Sequence, residues 1–180
     1  MKRAVFLDRD GVLNQSINRE GKPYPPKVVS EVKILPGVME ALELLRSANF
    51  ELVVVTNQPD VARGTSTIKE VNEINTHISN LLNLQKFYIC YHEDSDQCDC
   101  RKPKPGLLTQ AAIDLDIELT TSYMVGDRWR DIGAGQEAGC STYFIDYKYD
   151  EPEPKNSFIT VTSLLGAVEH ILEIEKNDKD

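Results

Sequence analysis

The chain has 180 residues, of which 41% are hydrophobic and 27% charged, and it carries a formal net charge of −9. That length supports a full hydrophobic core, no apolar run is long enough to span a bilayer, and the acidic balance argues against a broad nucleic-acid footprint. An anionic substrate would need a local cationic pocket, built from a metal and a few Lys or Arg.

The opening MKRAVFLDRDG has the basic residues of a leader, but its apolar stretch is too short and is interrupted at once by acids. It reads as the first strand, Ala4–Leu7, of a cytoplasmic protein. Residues 14–34 are polar and contain Pro23, Pro25 and Pro26, which predicts a long loop. Pro36-Gly37 opens a helix with an apolar stripe of Val38, Ala41, Leu42, Leu44 and Leu45. Residues 52–55 (LVVV) form a continuous apolar strand of the kind buried on both faces of a parallel sheet. Thr67 and Glu70 have capping-box spacing, and Val71, Ile74, Ile78 and Leu81 follow at helical period. A strand at 87–91, a helix from Pro105-Gly106, a strand at 122–125, a helix around 131–138, a strand at Ser141–Ile145 and a helix over 163–174 complete the pattern. The end, EKNDKD, reads as a solvated tail. Strand–helix alternation from end to end predicts an α/β fold with a mainly parallel sheet and helices on both faces. No second core is visible, so residues 1–180 are expected to form a single domain. Neither size nor charge suggests an oligomer, and a monomer is the default.

In such sheets, ligands bind beyond the carboxyl ends of the strands. Three apolar runs end in polar motifs: Asp8-Arg9-Asp10-Gly11, Thr56-Asn57-Gln58 and Gly126-Asp127-Arg128-Trp129-Arg130-Asp131. A fourth, Arg101-Lys102-Pro103-Lys104-Pro105-Gly106, precedes a helix. In extended backbone, Asp8 and Asp10 point to one side, so one carboxylate can attack while the other handles protons. Asp127 adds a further carboxylate, and crowded carboxylates beside a phosphate are a usual setting for Mg²⁺. Lys102 and Thr56 are placed to contact phosphoryl oxygens. Each motif alone has a plainer explanation: solvated loop charges, a turn, a capped helix, a surface lysine. Four together in this order are hard to reach by chance.

A second constellation is Cys90-x-His92 followed by Cys98-x-Cys100. Three thiols and an imidazole within eleven residues match a closed Cys₃His structural zinc site, with no position open for catalysis. A zinc-tied loop of about residues 90–100 would hold Arg101 and Lys102 against the active site. His77 and His170 fall on helices and are expected to face solvent or a groove rather than a metal. Cys140 reads as a small core residue.

The motifs DRDGV, VTNQ, the RKPKPG lysine and GDxxxD resemble those of the haloacid dehalogenase-like hydrolases. The resemblance covers nearly the whole chain. It implies a Rossmann-like fold and a phospho-aspartyl intermediate, and no insertion after the first or second motif is large enough to form a cap domain. Asp8 would be the nucleophile and Asp10 the general acid/base. Asp8, the main-chain carbonyl of Asp10, and Asp127 would hold Mg²⁺, with Thr56 and Lys102 on the phosphoryl group and Asp131 in support. The zinc loop resembles one subgroup, the heptose 1,7-bisphosphate 7-phosphatases and histidinol-phosphate phosphatases. The Ala62-Arg63-Gly64 and Pro105-Gly106 stretches favour the heptose side. That implies a small phosphorylated sugar as substrate, removal of the 7-phosphate in nucleotide-activated heptose synthesis, and substrate contacts from Asn57, Gln58, Arg63, Arg101 and Arg128. Residues 16–19 would belong to a substrate loop. The alternatives are histidinol phosphate as substrate, or a non-catalytic phosphate-binding module. The module would be expected to lack the nucleophile or the lysine, and both are present.

Overall fold

The computed structural model describes residues 1–177. In chain order the elements are β1 (Ala4–Leu7), β2 (Ile17–Arg19), β3 (Lys22–Tyr24), α1 (Val38–Ser47), β4 (Glu51–Asn57), α2 (Ile68–Leu82), β5 (Phe87–Cys90), α3 (Gly106–Leu115), β6 (Tyr123–Gly126), α4 (Trp129–Ala138), β7 (Ser141–Ile145), β8 (Ile159–Val161) and α5 (Leu164–Asn177). Six strands form one sheet in the order β5-β4-β1-β6-β7-β8, all neighbours parallel, and β2 and β3 form a separate antiparallel hairpin.

The two-residue period of the strands divides the core into two layers. On one face Val5, Leu7, Leu52, Val54, Tyr123 and Val125 pack with Leu42 and Leu45 of α1, Ile74 and Ile78 of α2, and Val168 and Ile171 of α5. On the other, Ala4, Phe6, Val53, Val55 and Met124 pack with Leu108 and Ala111 of α3 and Ala134 of α4. Fully buried leucines such as Leu42 and Leu108 are each worth ~1.5–3 kcal/mol of transfer free energy. This is the Rossmann-like α/β sandwich expected, and among the described residues no large cap domain stands over it. No helix there is long and apolar enough to cross a membrane.

Four expectations are corrected. The loop over 14–34 contains the β2–β3 hairpin, paired through Ile17 with Tyr24 and Arg19 with Lys22. Its prolines hid it: Pro23 sits within β3, where a two-stranded ribbon tolerates the missing N–H. β8 was not anticipated, because a three-residue, partly exposed edge strand carries no periodic signal. α4 starts at Trp129 rather than 131, since Asp131 is the third helical residue and its side chain accepts from the Arg128 amide. α5 runs on to Asn177, so residues 175–177 of the expected tail are helical; residues 178–180 lie outside the described residues. Thr67 and Glu70 form the reciprocal capping box predicted from their spacing.

From β1 the chain passes outward to β4 and β5, then returns to β6 beside β1 and continues to β7 and β8. The order therefore reverses between β1 and β6, which opens a crevice beyond their carboxyl ends. Asp8 follows β1, and Asp127 follows β6.

Candidate active site

At that crevice Lys102 is buried and spends all three of its ammonium donors on acceptors. Its Nζ lies 2.8 Å from Asp8 Oδ1, 2.6 Å from Asp131 Oδ1 and 2.7 Å from the Val55 carbonyl. Burial pulls the Lys102 pKa down, but Asp131 and Asp8 outweigh it and the net shift is upward, so the cation is secure. Asn57 clasps the lysine's own backbone, donating to its carbonyl (3.1 Å) and accepting from its amide (3.2 Å). The end of β4 is thereby locked to the segment that follows the cysteine cluster.

Asp8, Asp127 and Asp131 bring carboxylate oxygens within 4.8 Å of one another, and all three residues are buried. Burial, with Asp131 adding and Lys102 opposing, pushes Asp8 up to about 6. Burial and the charges of Asp8 and Asp131 push Asp127 well above the usual carboxylate range. Asp127 Oδ2 accepts from the Tyr149 hydroxyl at 2.9 Å, whereas Asp127 Oδ1 is buried with no partner among the described residues. Crowded oxygen donors, one of them orphaned, fit a hard divalent cation such as Mg²⁺. Two glycines make the crowding possible. A Cβ on Gly11, whose φ is +88°, would lie 1.9 Å from Asp127 Oδ2, and one on Gly126 would lie 2.1 Å from Asp131 Cβ.

Asp10 stands apart from that cluster. Its carboxylate receives Arg9 Nε (3.2 Å) and Nη2 (2.9 Å), Asn14 Nδ2 (2.9 Å) and Gln58 Nε2 (2.9 Å). Arg9 is wholly buried and also donates to Asn75 Oδ1 on α2. Sequence reasoning assigned Arg9 no role, although an arginine flanked by two aspartates was the available signal. Gln58, expected at the substrate, is instead buried, and its amide nitrogen is shared between Asp10 and Thr56 Oγ1 (2.9 Å). Thr56 is buried too; accepting from Gln58 leaves its own hydroxyl proton available.

Above this floor lies a cleft of about 330 Å³, lined by Asp8, Asp10, Asn57 and Lys102 and roofed by Ser16 and residues 22–25 of the hairpin. Its rim is cationic but paired. Arg63 reaches Glu93 (3.3 Å) and Asp60 (3.6 Å), and Arg128 pairs with Glu151 through two nitrogens. Arg101 donates to Asp94 Oδ1 (2.8 Å) and to the His92 carbonyl (3.2 Å). Arg130 had no assigned role in the sequence reading, yet it lines the cleft, grips both oxygens of Asp94 at 3.0 Å and stacks over Trp129.

The second cluster starts at the last residue of β5, Cys90, and continues into the loop beyond it. Cys90, Cys98 and Cys100 place their sulfurs 3.2–3.7 Å apart, and His92 Nδ1 is 3.3 Å from Cys100 Sγ and 3.6 Å from Cys90 Sγ. A tetrahedral zinc with Zn–S near 2.3 Å would set its sulfurs roughly 3.8 Å apart, so the four donors fit. Burial pushes the Cys90 thiol up, and a bound cation would supply what is needed to ionise it. Lys104 Nζ donates to the Cys98 carbonyl (2.7 Å) and the Lys104 amide to the Arg101 carbonyl (3.0 Å), which laces this loop to the lysine segment. His77 lies half-buried along a groove beside α2, and His170 is bonded to the Tyr143 hydroxyl (2.9 Å), both remote from the two clusters. Cys140 is buried, as expected.

The chain belongs to the haloacid dehalogenase-like hydrolases, whose family model matches residues 26–139. Among individual proteins, it is 38% identical over 149 residues to the D-glycero-beta-D-manno-heptose-1,7-bisphosphate 7-phosphatase of Pasteurella multocida, covering 77% of this chain and 78% of that one. It is 34% identical to the enzyme of the same name from Helicobacter pylori strain 26695, covering 76% and 79%. A crystal structure of D,D-heptose 1,7-bisphosphate phosphatase from B. bronchiseptica, complexed with magnesium and phosphate, superposes with a TM-score of 0.83 at 29% identity over 97% of this chain and 99% of that one. The chain is thus a phosphatase by family, a phosphoric monoester hydrolase.

Proposed function

We propose that this protein removes the 7-phosphate of D-glycero-D-manno-heptose 1,7-bisphosphate through a phospho-aspartyl intermediate on Asp8, a step toward nucleotide-activated heptose. The observation that carries the reading is the buried Lys102–Asp8–Asp131 arrangement beside the orphaned Asp127 oxygen, on the floor of an arginine-rimmed cleft. Similarity to the named heptose phosphatases supports the substrate.

In this mechanism an Asp8 oxygen attacks phosphorus as the bond to the sugar oxygen breaks, and Asp10 gives that oxygen its proton. Asp10 then takes a proton from water, which attacks the aspartyl phosphate and releases inorganic phosphate. The cage of Arg9, Asn14 and Gln58 holds Asp10 in place for both transfers. Lys102 fixes the rotamer of Asp8 and, with the Thr56 hydroxyl, faces charge on the phosphoryl oxygens. Mg²⁺, held by Asp8, Asp127 and the main-chain carbonyl of Asp10, supplies further charge neutralisation when bound. Zn²⁺ on Cys90, His92, Cys98 and Cys100 is structural.

Arg63, Arg101 and Arg128 receive the rest of the substrate, above all its second phosphate, with Asn57 at the same wall. The rim carboxylates already engaged by those arginines leave poor provision for the cationic end of histidinol phosphate, which is the second candidate. The protein works in this reading as a cytoplasmic monomer, residues 1–180 forming one catalytic unit.

The test is phosphate release from both anomers of the heptose bisphosphate and from histidinol phosphate, with the β anomer, for which the P. multocida and H. pylori relatives are named, tried first. The bisphosphate should be strongly preferred; preference for histidinol phosphate would overturn the substrate. Asp8→Asn should cost at least about 10⁴-fold in turnover while the protein stays folded, and residual turnover near wild type would sink the mechanism.

A further inference from the structure

Residues 146–152, between β7 and β8, cross the edge of the site and tie down several of its parts. The Tyr147 hydroxyl donates to the Gly11 carbonyl (3.0 Å), the Tyr149 hydroxyl to Asp127 Oδ2 (2.9 Å), and the Asp150 amide to the Gly21 carbonyl at the hairpin turn (2.9 Å). The tyrosine rings lean on each other with centroids 5.6 Å apart. None of the sequence motifs includes this segment.

Asp127 is where the strap meets the chemistry. A carboxylate on a short side chain can rotate about its last bond and exchange its two oxygens. Here the oxygens are not equivalent. Asp127 Oδ2 packs where Gly11 lacks a side chain and accepts a hydrogen bond from the Tyr149 hydroxyl, while Asp127 Oδ1 is buried without a partner among the described residues. We propose that Tyr149 is the positioning residue of the cation site: its hydroxyl occupies one oxygen of Asp127 and so reserves the other for the metal. A ligating carboxylate held by a hydrogen bond from outside the coordination sphere is the arrangement that fixes donor geometry in metal sites. The phenol is suited to the task, being stiff, half-buried and in contact with a second ring.

The inference rests on reading Asp8, Asp127 and the main-chain carbonyl of Asp10 as a magnesium site, and the experiment separates the two. Mg²⁺ is titrated calorimetrically into wild type, Tyr149→Phe and Tyr147→Phe, each kept in metal-depleted buffer without chelator and measured well below its own melting temperature. Tyr149→Phe should bind Mg²⁺ on the order of 10- to 100-fold more weakly than wild type, and Tyr147→Phe, which loses a strap contact but none to Asp127, should stay within about 3-fold. Wild-type protein that takes up no Mg²⁺ would sink the metal site and the inference with it. Wild-type binding with Tyr149→Phe unchanged would sink the inference alone, as would an equal loss in both variants, which would assign the effect to the strap rather than to the hydroxyl on Asp127.

Discussion

The carboxylate cluster and the cysteine cluster are both sets of side chains that could hold a metal ion, but they are built in opposite ways. Cys90, His92, Cys98 and Cys100 come from one short loop, and only Cys90 is buried. Asp8 and the pair Asp127 and Asp131 come from segments far apart in the chain, meet at the reversal of strand order, and are all buried. The local cluster has soft donors and no internal counter-charge beyond its own ionisation. The distant one has hard donors and already holds a cation, the Lys102 ammonium. Lys102 is also the link between them, since its backbone follows Cys100 and its side chain ends on Asp8. The comparison suggests a division of labour: a cheap, sequence-local site steadies a segment, and an expensive, tertiary site uses what that segment delivers.

The sharpest way to break this picture is Lys102→Met, which keeps the volume and removes the charge. Turnover should fall about 10²–10³-fold for loss of an electrostatic contact to the reacting group. Magnesium-free protein should also lose about 3–5 kcal/mol in urea unfolding, because buried carboxylates are left without their partner. Unchanged stability would mean that the cluster does not need the lysine.

Next in size is disruption of the local site. Cys98→Ser should lower the zinc content and melting temperature, and reduce turnover by about 10- to 100-fold through misplacement of Arg101 and Lys102. Zinc-depleted protein with full activity would reduce the cysteine loop to a stability element and dissolve the proposed link.

The smallest expected effect is on pH dependence. Burial raises Asp8 to about 6 in the folded, magnesium-free protein, against an unfolded value near 4. The folded state therefore keeps a proton that the unfolded chain releases. The stabilisation from this group is complete below about pH 4 and is lost as pH rises through about 6, a change of about 2–3 kcal/mol. Mg²⁺ favours the ionised carboxylate, so its stabilising effect should be larger at pH 7 than at pH 4.5. Urea unfolding at both pH values, with and without Mg²⁺, measures this; the Asp8 component should vanish in Asp8→Asn, and an identical slope in that variant would refute the assignment.

Much of this is legible in the sequence. The LVVV run, the Thr67–Glu70 capping box and the Cys-x-His spacing each state their own structure, because strand burial, helix capping and tetrahedral ligation by one loop depend on residues close in sequence. The α/β class followed from the same local signals. The hairpin at Ile17–Tyr24, the strand Ile159–Val161 and the strap at 146–152 were not legible. The hairpin pairs locally but is hidden by its prolines, while the partners of Ile159–Val161 and of the strap are set by the fold. Gln58 shows the limit within a motif: its position after β4 placed it near the chemistry, but only the packing aims its amide at Asp10 and Thr56 rather than into the cleft.

The sequence by itself determined which residues could do chemistry, since carboxylates, lysine and thiols at strand ends and in one loop are fixed by chain order and periodicity. The tertiary structure alone decided how they are charged and aimed. It brought Asp8 and Asp127 together across adjacent strands, buried Lys102 among them, caged Asp10 with Arg9, and set Tyr149 against one oxygen of Asp127. Those are long-range contacts, and burial and Coulomb energies depend on distances in space that no spacing along the chain encodes.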